Sequence, residues 1–137
     1  MNLAISLVVP ILNEAASLPQ LLSGITKQTL PPKEVIFVDA GSTDGSAEII
    51  RLWGSGWATG GCTVLTVSNG LPGGGRNAGI AAAKSEWIAF IDGGITPEPD
   101  WLEQLASAAN ARNVELIFGY CRFEAENPFE RAICALT

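Results

Sequence analysis

The residue with the clearest chemical potential is Asp92, which follows the apolar run WIAFI and precedes Gly93 and Gly94. A carboxylate at the end of a buried strand loses water on one side and needs a partner such as a hydroxyl, a backbone amide or a metal ion. Magnesium and manganese prefer several oxygen ligands, so one Asp anchors such an ion only where ligand phosphates supply the rest. Asp92 is therefore the first candidate site residue.

A second candidate site is the loop DAGSTDGS, residues 39–46. Asp39 ends a predicted strand, where it could accept hydrogen bonds from a nucleobase imide or from ribose hydroxyls. Asp44 precedes Gly45 and is more typical of a helix cap. Asp, Gly, Ser and Thr are also the residues that a tight strand-to-helix turn requires, so a purely structural role for this loop stays open.

The third candidate is the segment LPGGGRN, residues 71–77, which we interpret as a flexible glycine loop. It delivers Arg76 and Asn77 to a predicted helix N-terminus, a suitable place for a diphosphate. The alternative is an arginine that is solvated or paired with a surface acid. Gly73, Gly75 and Ala78 match the loose dinucleotide fingerprint, but the preceding strand ends too early and the unit is not the first, so dinucleotide binding is disfavoured.

Strands and helices alternate along the chain, which predicts an α/β fold with a mostly parallel sheet. The first strand is expected to end at Pro10, which cannot donate to a ladder, and Asn13 is expected to cap the next helix. Ligands of such sheets bind at the carboxyl ends of the strands, near a topological switch point. Strands are predicted at 4–9, 35–38, 64–67, 87–91 and 114–118, and helices at about 14–28, 47–53, 78–84, 101–109 and 128–137.

The composition excludes several classes of function. The 137 residues fit one domain, and the absence of histidine removes Ser/His/Asp and Cys/His nucleophilic schemes. A net charge of −6 gives no basic field for nucleic acid. Three cysteines without paired spacing suggest neither a disulfide framework nor a zinc site. With 47% hydrophobic and only 16% charged residues, we expect some apolar surface to meet a partner, a membrane face or a further stretch of chain.

The apolar N-terminus LAISLVVPIL is interpreted as a buried first strand rather than a signal peptide, because it has no preceding Lys or Arg and contains Pro10. No apolar run is long enough to cross a bilayer. These features predict a cytoplasmic protein, with the inner face of a membrane as the alternative setting.

Four segments in order carry a family resemblance: VVPILNEAASL, VDAGSTDGSAEII, GGGRNAGIAAAKSEWIAFIDGG and PEPDWLEQL. Together they resemble the nucleotide-binding half of the family 2 glycosyltransferases, an inverting group with the GT-A fold. The resemblance implies a Rossmann-like three-layer α/β/α sandwich that binds a nucleotide sugar, often a UDP-sugar. It also implies one domain over 1–137, truncated so that the acceptor-binding half is missing or incomplete after about residue 120.

The same resemblance implies roles for individual residues. Asp39 would face the base, Arg76 would lie near the diphosphate, and Asp92 would open the DxD motif that holds the ribose and a divalent metal, Mg²⁺ or Mn²⁺. The nucleoside pocket would include Pro10, Leu12 and Glu14. The full predicted nucleotide-sugar set is Pro10, Leu12, Glu14, Asp39, Gly75, Arg76, Asn77 and Asp92, with Asp92 also as the metal ligand.

Two departures remove carboxylates from the implied site. The usual acid pair after the second strand is Asp39-Ala40 here, and the DxD motif is Asp92-Gly93-Gly94, with Gly94 in place of the usual metal ligand. Three interpretations follow: a metal held by Asp92, phosphates and water; a metal-free site that uses Arg76 and helix amides; or loss of catalysis. The catalytic base is expected beyond Thr137, so none is assigned within the chain.

The leading hypothesis is therefore an inverting glycosyltransferase that transfers a sugar from a nucleotide-sugar donor to an unknown acceptor. The alternative is a non-catalytic nucleotide- or partner-binding module of the same fold. A nucleotidyltransferase-like enzyme is more distant, because its glycine-rich loop would follow the first strand, where this chain has PILNEAAS. Apolar surface left by a missing acceptor half predicts a homo-oligomer or peripheral membrane association.

Overall fold

The architecture is a parallel β-sheet covered by helices on both faces. The computed structural model describes residues 3–68, 72–112 and 114–120. Its strands are β1 (Ile5–Ile11), β2 (Glu34–Asp39), β3 (Gly61–Thr66) and β4 (Trp87–Phe90), and its helices are α1 (Leu18–Thr26), α2 (Ser46–Ser55), α3 (Pro72–Ala82) and α4 (Trp101–Arg112). The sheet order is β3-β2-β1-β4, and every neighbouring pair is parallel.

Successive residues of β1 and β2 face opposite layers, as the two-residue period of a strand requires. One face packs against α1, α2 and α4, and the other packs against α3. The first core includes Leu7, Val9, Val35, Phe37, Leu21, Ile50 and Leu102, and the second is built on Val8, Ile36 and Val38 with Ala78 and Ala82 beside them. Burial of each large side chain stabilises the fold by about 1.5–3 kcal/mol. The predicted three-layer α/β/α sandwich is thus confirmed.

The prediction that β1 ends before Pro10 is wrong, because the strand continues to Ile11. The Ile91 N–H donates to the Val8 carbonyl, and alternate residues point to the same neighbouring strand. The nitrogen of Pro10 therefore points towards β4. The last residue pair of the ladder between β1 and β4 is Val8 with Phe90, so Pro10 lies beyond the end of that ladder. The ladder to β2 does not use that nitrogen and continues to Ile11, so proline costs the sheet no hydrogen bond.

The N-terminus of α1 also differs from the prediction. The helix begins at Leu18 with Ser17 as its N-cap, rather than after Asn13. The Glu14 carbonyl accepts the N–H groups of Ser17 and Leu18, so a separate turn precedes the helix. Asn13 has a positive φ of 54°, which breaks the helical path, and its side chain bonds to a different loop.

The glycine-rich segment is helical from Pro72 onward, which corrects the prediction of a flexible loop up to residue 77. Proline at the first helical position is favourable, because its φ is already helical and its missing N–H would have no partner. Glycine lets the helix lie close to the sheet: a Cβ on Gly75 would lie 3.6 Å from Val38 Cγ1, and a Cβ on Gly79 would overlap Val8. Tertiary packing therefore outweighs the low helix propensity of glycine here.

The last predicted elements are not all found. Residues 114–118 were expected to form a strand, but the structure has none in the described residues 114–120. Leu116 is 69% exposed and Phe118 is 84% exposed, so the apolar side chains of this segment have no sheet to pack on in the described part. The helix predicted at 128–137 lies outside the described residues.

Candidate functional site

The predicted site residues gather at what we call the carboxyl edge: the loops after β1, β2 and β4 and the first turns of α3. Successive connections lead outward from β1 to β2 and β3, and the chain then returns to place β4 on the other side of β1. This reversal makes the gap between the ends of β1 and β4 the topological switch point, where open α/β sheets bind ligands.

Asp39 is held rigidly at the tip of β2. Its side chain is only 4% exposed, and Oδ1 accepts hydrogen bonds from the Ser42 backbone N–H at 2.8 Å and the Ser42 hydroxyl at 2.6 Å. The Ser42 Oγ in turn accepts the Asn13 backbone N–H at 2.9 Å, which joins this loop to the end of β1. The carboxylate is therefore pre-positioned by its own loop and by the neighbouring strand.

Asp44 has a structural role in the same loop. Gly45 is the N-cap of α2. Asp44 immediately precedes it, and Asp44 Oδ1 accepts hydrogen bonds from the Ser46 N–H and the Ser46 hydroxyl. Its Oδ2 accepts the Ala15 N–H at 2.9 Å. The Ser46 hydroxyl, followed by the Ala15 amide, holds the pKa of Asp44 below its usual value of 3.8. Asp44 thus fastens the loop after β2 to the segment after β1.

Glu14 is half-buried between the ends of β1 and β4. Its Oε2 accepts the Ser17 hydroxyl at 2.7 Å, and the same hydroxyl lies 3.0 Å from the Gly93 carbonyl. A Cβ on Gly93 would lie 2.8 Å from Glu14 Cγ, so glycine is required for this close approach. Glu14 and the loop after β4 therefore hold each other in place.

Arg76 and Asp92 form an ion pair across the switch point. Arg76 Nη2 donates to Asp92 Oδ1 at 2.8 Å, and the two side chains are 39% and 59% exposed. Arg76 comes from the second turn of α3 and Asp92 from the end of β4, so the pair spans two elements. Arg76 therefore pairs with an acid, as one of its two sequence interpretations allowed, and that acid is the leading site residue itself.

The remaining predicted residues occupy different positions. Pro10 is half-buried in β1, Leu12 is 48% exposed at the strand tip, and Gly75 is buried against Val38. Asn77 is exposed on α3, and within the described part of the chain no hydrogen bond joins it to the other site residues.

Three serines that the sequence interpretation did not single out organise the carboxyl edge. Ser17, Ser42 and Ser46 each bond to a loop from another strand, since the Ser46 Oγ also accepts the Glu14 N–H at 2.9 Å. Serine is ordinary in turns, and these partners lie 29 to 76 residues away in sequence. Only the loose signal of a serine-rich loop at a strand end pointed to them.

The acids present do not fit a divalent metal ion on their own. Among residues 3–68, 72–112 and 114–120, no group of three or more Cys, Asp or Glu side chains comes together to hold a metal. Asp92 Oδ1 is already bonded to Arg76, and Gly94 supplies no side chain. Mg²⁺ and Mn²⁺ need more oxygen ligands than one carboxylate provides.

No helix in the described part of the chain is long and apolar enough to cross a membrane.

Known proteins of the same fold act on sugars. Glycosyltransferase AglE of Haloferax volcanii is 32% identical over 125 residues, covering 90% of this chain and 41% of AglE. The structure of S. aureus TarS 1-349 in complex with UDP-GlcNAc matches with a TM-score of 0.71 and 26% identity, covering 81% of this chain and 32% of that chain. Mannosyltransferase PcManGT from Pyrobaculum calidifontis, in complex with GDP-Man and Mn²⁺, matches with a TM-score of 0.66 and 25% identity, covering 77% and 31%.

The chain thus spans less than half the length of each of these proteins. The similarity nevertheless covers 81% of this chain and confirms the predicted Rossmann-like GT-A fold. The family model described as glycosyl transferase family 2 matches residues 6–134, which include all four strand ends at the carboxyl edge. The chain belongs to glycosyl transferase family 2.

Proposed function

We propose that this chain binds a nucleotide-sugar donor at the carboxyl edge and supplies the donor side of an inverting glycosyltransferase. One observation carries the proposal: Asp39 at the tip of β2, Arg76 on α3 and Asp92 just after β4 all lie at the carboxyl edge, each already fixed by a hydrogen bond. Family membership and the UDP-GlcNAc bound to TarS support the class of ligand. We further propose that these residues form the donor-binding part of a transferase that passes the sugar to an acceptor.

The nucleoside is proposed to lie over the tips of β1 and β2. Because Ser42 occupies Oδ1 of Asp39, the other carboxylate oxygen remains to accept an imide N–H or a ribose hydroxyl. Pro10 and the half-exposed Leu12 supply apolar surface beside it. A buried, pre-positioned acceptor rejects ligands that lack the matching donor more strongly than a mobile one does, which gives the pocket selectivity for the base.

The diphosphate is proposed to lie beside Arg76. A guanidinium carries five N–H donors, and the structure uses one nitrogen for Asp92. The other donors suit the oxygens of a phosphate, and the N-terminal turn of α3 adds a favourable dipole. These groups would hold and neutralise the leaving diphosphate as its bond to the sugar breaks.

A divalent metal would supply Lewis-acid stabilisation of the same leaving group, and the similar PcManGT was solved with Mn²⁺. In this chain Asp92 is the only acid left of the implied motif, and it is paired with Arg76. The acids in the described part of the chain do not fit such an ion on their own.

The two missing carboxylates favour a second candidate, which is a nucleotide-binding module without transfer activity. Ala40 and Gly94 stand where the resemblance implies acids, and neither can hold a ligand through its side chain. The two candidates share the donor site and differ in turnover. Incubation of the 137-residue chain with UDP-glucose and UDP-GlcNAc, followed by chromatography for released UDP, distinguishes them. Steady release of UDP would refute the non-catalytic module, whereas saturable binding without release would favour it.

Binding itself is tested by isothermal titration calorimetry with UDP, GDP and dTDP. We expect saturable binding of at least one of them, and weaker binding by Asp39→Ala. Glu48→Gln is the matched control, because it also removes one acid from the segment after β2. Glu48 itself is paired with Arg51 on the exposed face of α2. Absence of heat with all three nucleotides at millimolar concentration would refute the proposed function.

A further inference from the structure

Arg76 is the one described basic side chain that lies at the carboxyl edge. Helices in this fold run back from the carboxyl edge, so residues at their C-terminal ends lie at the opposite edge of the sheet. Arg51 is paired with Glu48 on the outside of α2. The other described basic residues are Lys27 and Arg112 at the ends of α1 and α4, Lys84 just after α3, and Lys33 just before β2.

The negative charge of Asp92 is therefore balanced by a positively charged side chain of the protein itself, Arg76. In a site with two acids, a divalent cation offsets two carboxylates before a diphosphate can approach. Here there is one carboxylate, and one guanidinium 2.8 Å away offsets it. Gly94 adds no charge, and no atom lies within 4 Å of a Cβ placed on it, so the space for a second acid is open and unused.

The pair is also open to a ligand. Arg76 and Asp92 keep 39% and 59% of their side-chain surface exposed, so a phosphate can reach the guanidinium without first breaking the ion pair. Asp92 then orients the planar guanidinium group of Arg76, and the remaining N–H groups of Arg76 stay available for phosphate oxygens.

We propose that Arg76 replaces the divalent metal at this donor site, so that the chain binds a nucleoside diphosphate without Mg²⁺ or Mn²⁺. This inference rests on the proposed function, because it concerns the same ligand at the same site. Asp92 acts as the positioning residue for the guanidinium, and Gly94 leaves no second carboxylate there for a metal to offset.

The test is calorimetric titration of UDP into the 137-residue chain, once in EDTA and once in MnCl₂. We expect the two Kd values to agree within about twofold, and Arg76→Ala to raise Kd at least about tenfold in EDTA. Arg51→Ala is the matched control, because it removes an arginine from an exposed ion pair away from the site, and it should leave Kd unchanged. Circular dichroism confirms that each variant is folded.

A gain-of-metal variant provides the complementary measurement. In Gly94→Asp the new carboxylate has room and creates an uncompensated negative charge beside Asp92. We expect UDP binding by this variant to weaken in EDTA and to recover with Mn²⁺, which is the metal dependence that the natural chain lacks. If Arg76→Ala does not fold, Arg76→Lys provides a second variant. It keeps the positive charge but lacks the planar guanidinium group, so it should bind UDP more weakly than wild type but more tightly than a variant without the charge.

The outcomes separate this inference from the proposed function. Tightening of the wild-type Kd by about tenfold or more with Mn²⁺ would overturn metal independence while leaving donor binding intact. Wild-type affinity in both Arg76 variants would overturn the role of the guanidinium. Failure to bind UDP, GDP or dTDP in either buffer would refute the proposed function and this inference with it.

Discussion

Replacement of Asp39 by asparagine should separate the structural role of this residue from its role in binding. Asp39 Oδ1 accepts two hydrogen bonds from Ser42, at 2.8 and 2.6 Å, and the side chain is 4% exposed. In Asp39→Asn the amide oxygen can keep both bonds, so the free energy of unfolding should change by less than about 1 kcal/mol. Asp39→Ala removes the acceptor of the Ser42 N–H and O–H donors, at a cost of about 1–3 kcal/mol.

The same asparagine variant should lose nucleotide affinity. It presents an NH₂ group where the carboxylate presents an acceptor, so one hydrogen bond from the ligand to a charged group is lost. Such a bond contributes about 1.5–3 kcal/mol, which corresponds to a rise of about 10- to 150-fold in the Kd for UDP.

Urea denaturation and UDP calorimetry on wild type, Asp39→Asn, Asp39→Ala and the control Glu48→Gln give both quantities. An Asp39→Asn variant that is stable and binds UDP within about twofold of wild type would refute the reasoning, because Asp39 would then be a turn residue only.

Three further predictions concern the framework of the site. Gly79→Ala should destabilise the chain by about 1–3 kcal/mol in urea denaturation, because its Cβ would overlap β1, whereas Gly73→Ala, with open space around it, should not. The depressed pKa of Asp44 stabilises the fold above its unfolded-state pKa, and this contribution is lost as pH falls through the folded-state pKa. The urea midpoint should therefore fall less steeply below about pH 4 in Asp44→Asn than in wild type, and parallel curves would contradict this. Gln28→Ala should cost about 1–3 kcal/mol in the same assay, because the buried amide bonds to the end of α1, to the loop before α4 and to α4 itself; an unchanged midpoint would count against that bridging role.

The general layout of the site could be predicted because it follows from local patterns. Apolar runs ended by Asp39 and Asp92 identified two strand tips, and parallel strands bring such tips to the same edge. Pairing of Arg76 with a surface acid was one of two alternatives, but Asp92 was not identified as that acid, because side-chain pairing across 16 residues depends on how α3 lies on the sheet. The serine contacts were missed for the same reason, since their partners are distant in sequence.

The errors came from local rules applied without their tertiary context. Proline ends a ladder only where its nitrogen faces a partner, and Pro10 faces the side on which the ladder to β4 has already ended. Glycine weakens a helix in isolation, yet Gly75 and Gly79 allow α3 to approach β1 and β2 closely. Asn13 has the right side chain for an N-cap but a positive φ, so it bonds to the loop after β2 instead.

The central claim is that the carboxyl edge binds the nucleotide, and the most direct measurement is a ¹H–¹⁵N NMR titration of the 137-residue chain with UDP. The account predicts shift changes concentrated in residues 10–14, 39–46, 75–77 and 92–94. Amides at the opposite edge, such as Lys33, Lys84 and Ser85, should stay unchanged. Shifts centred on that opposite edge, or no saturable shifts at millimolar UDP, would contradict it.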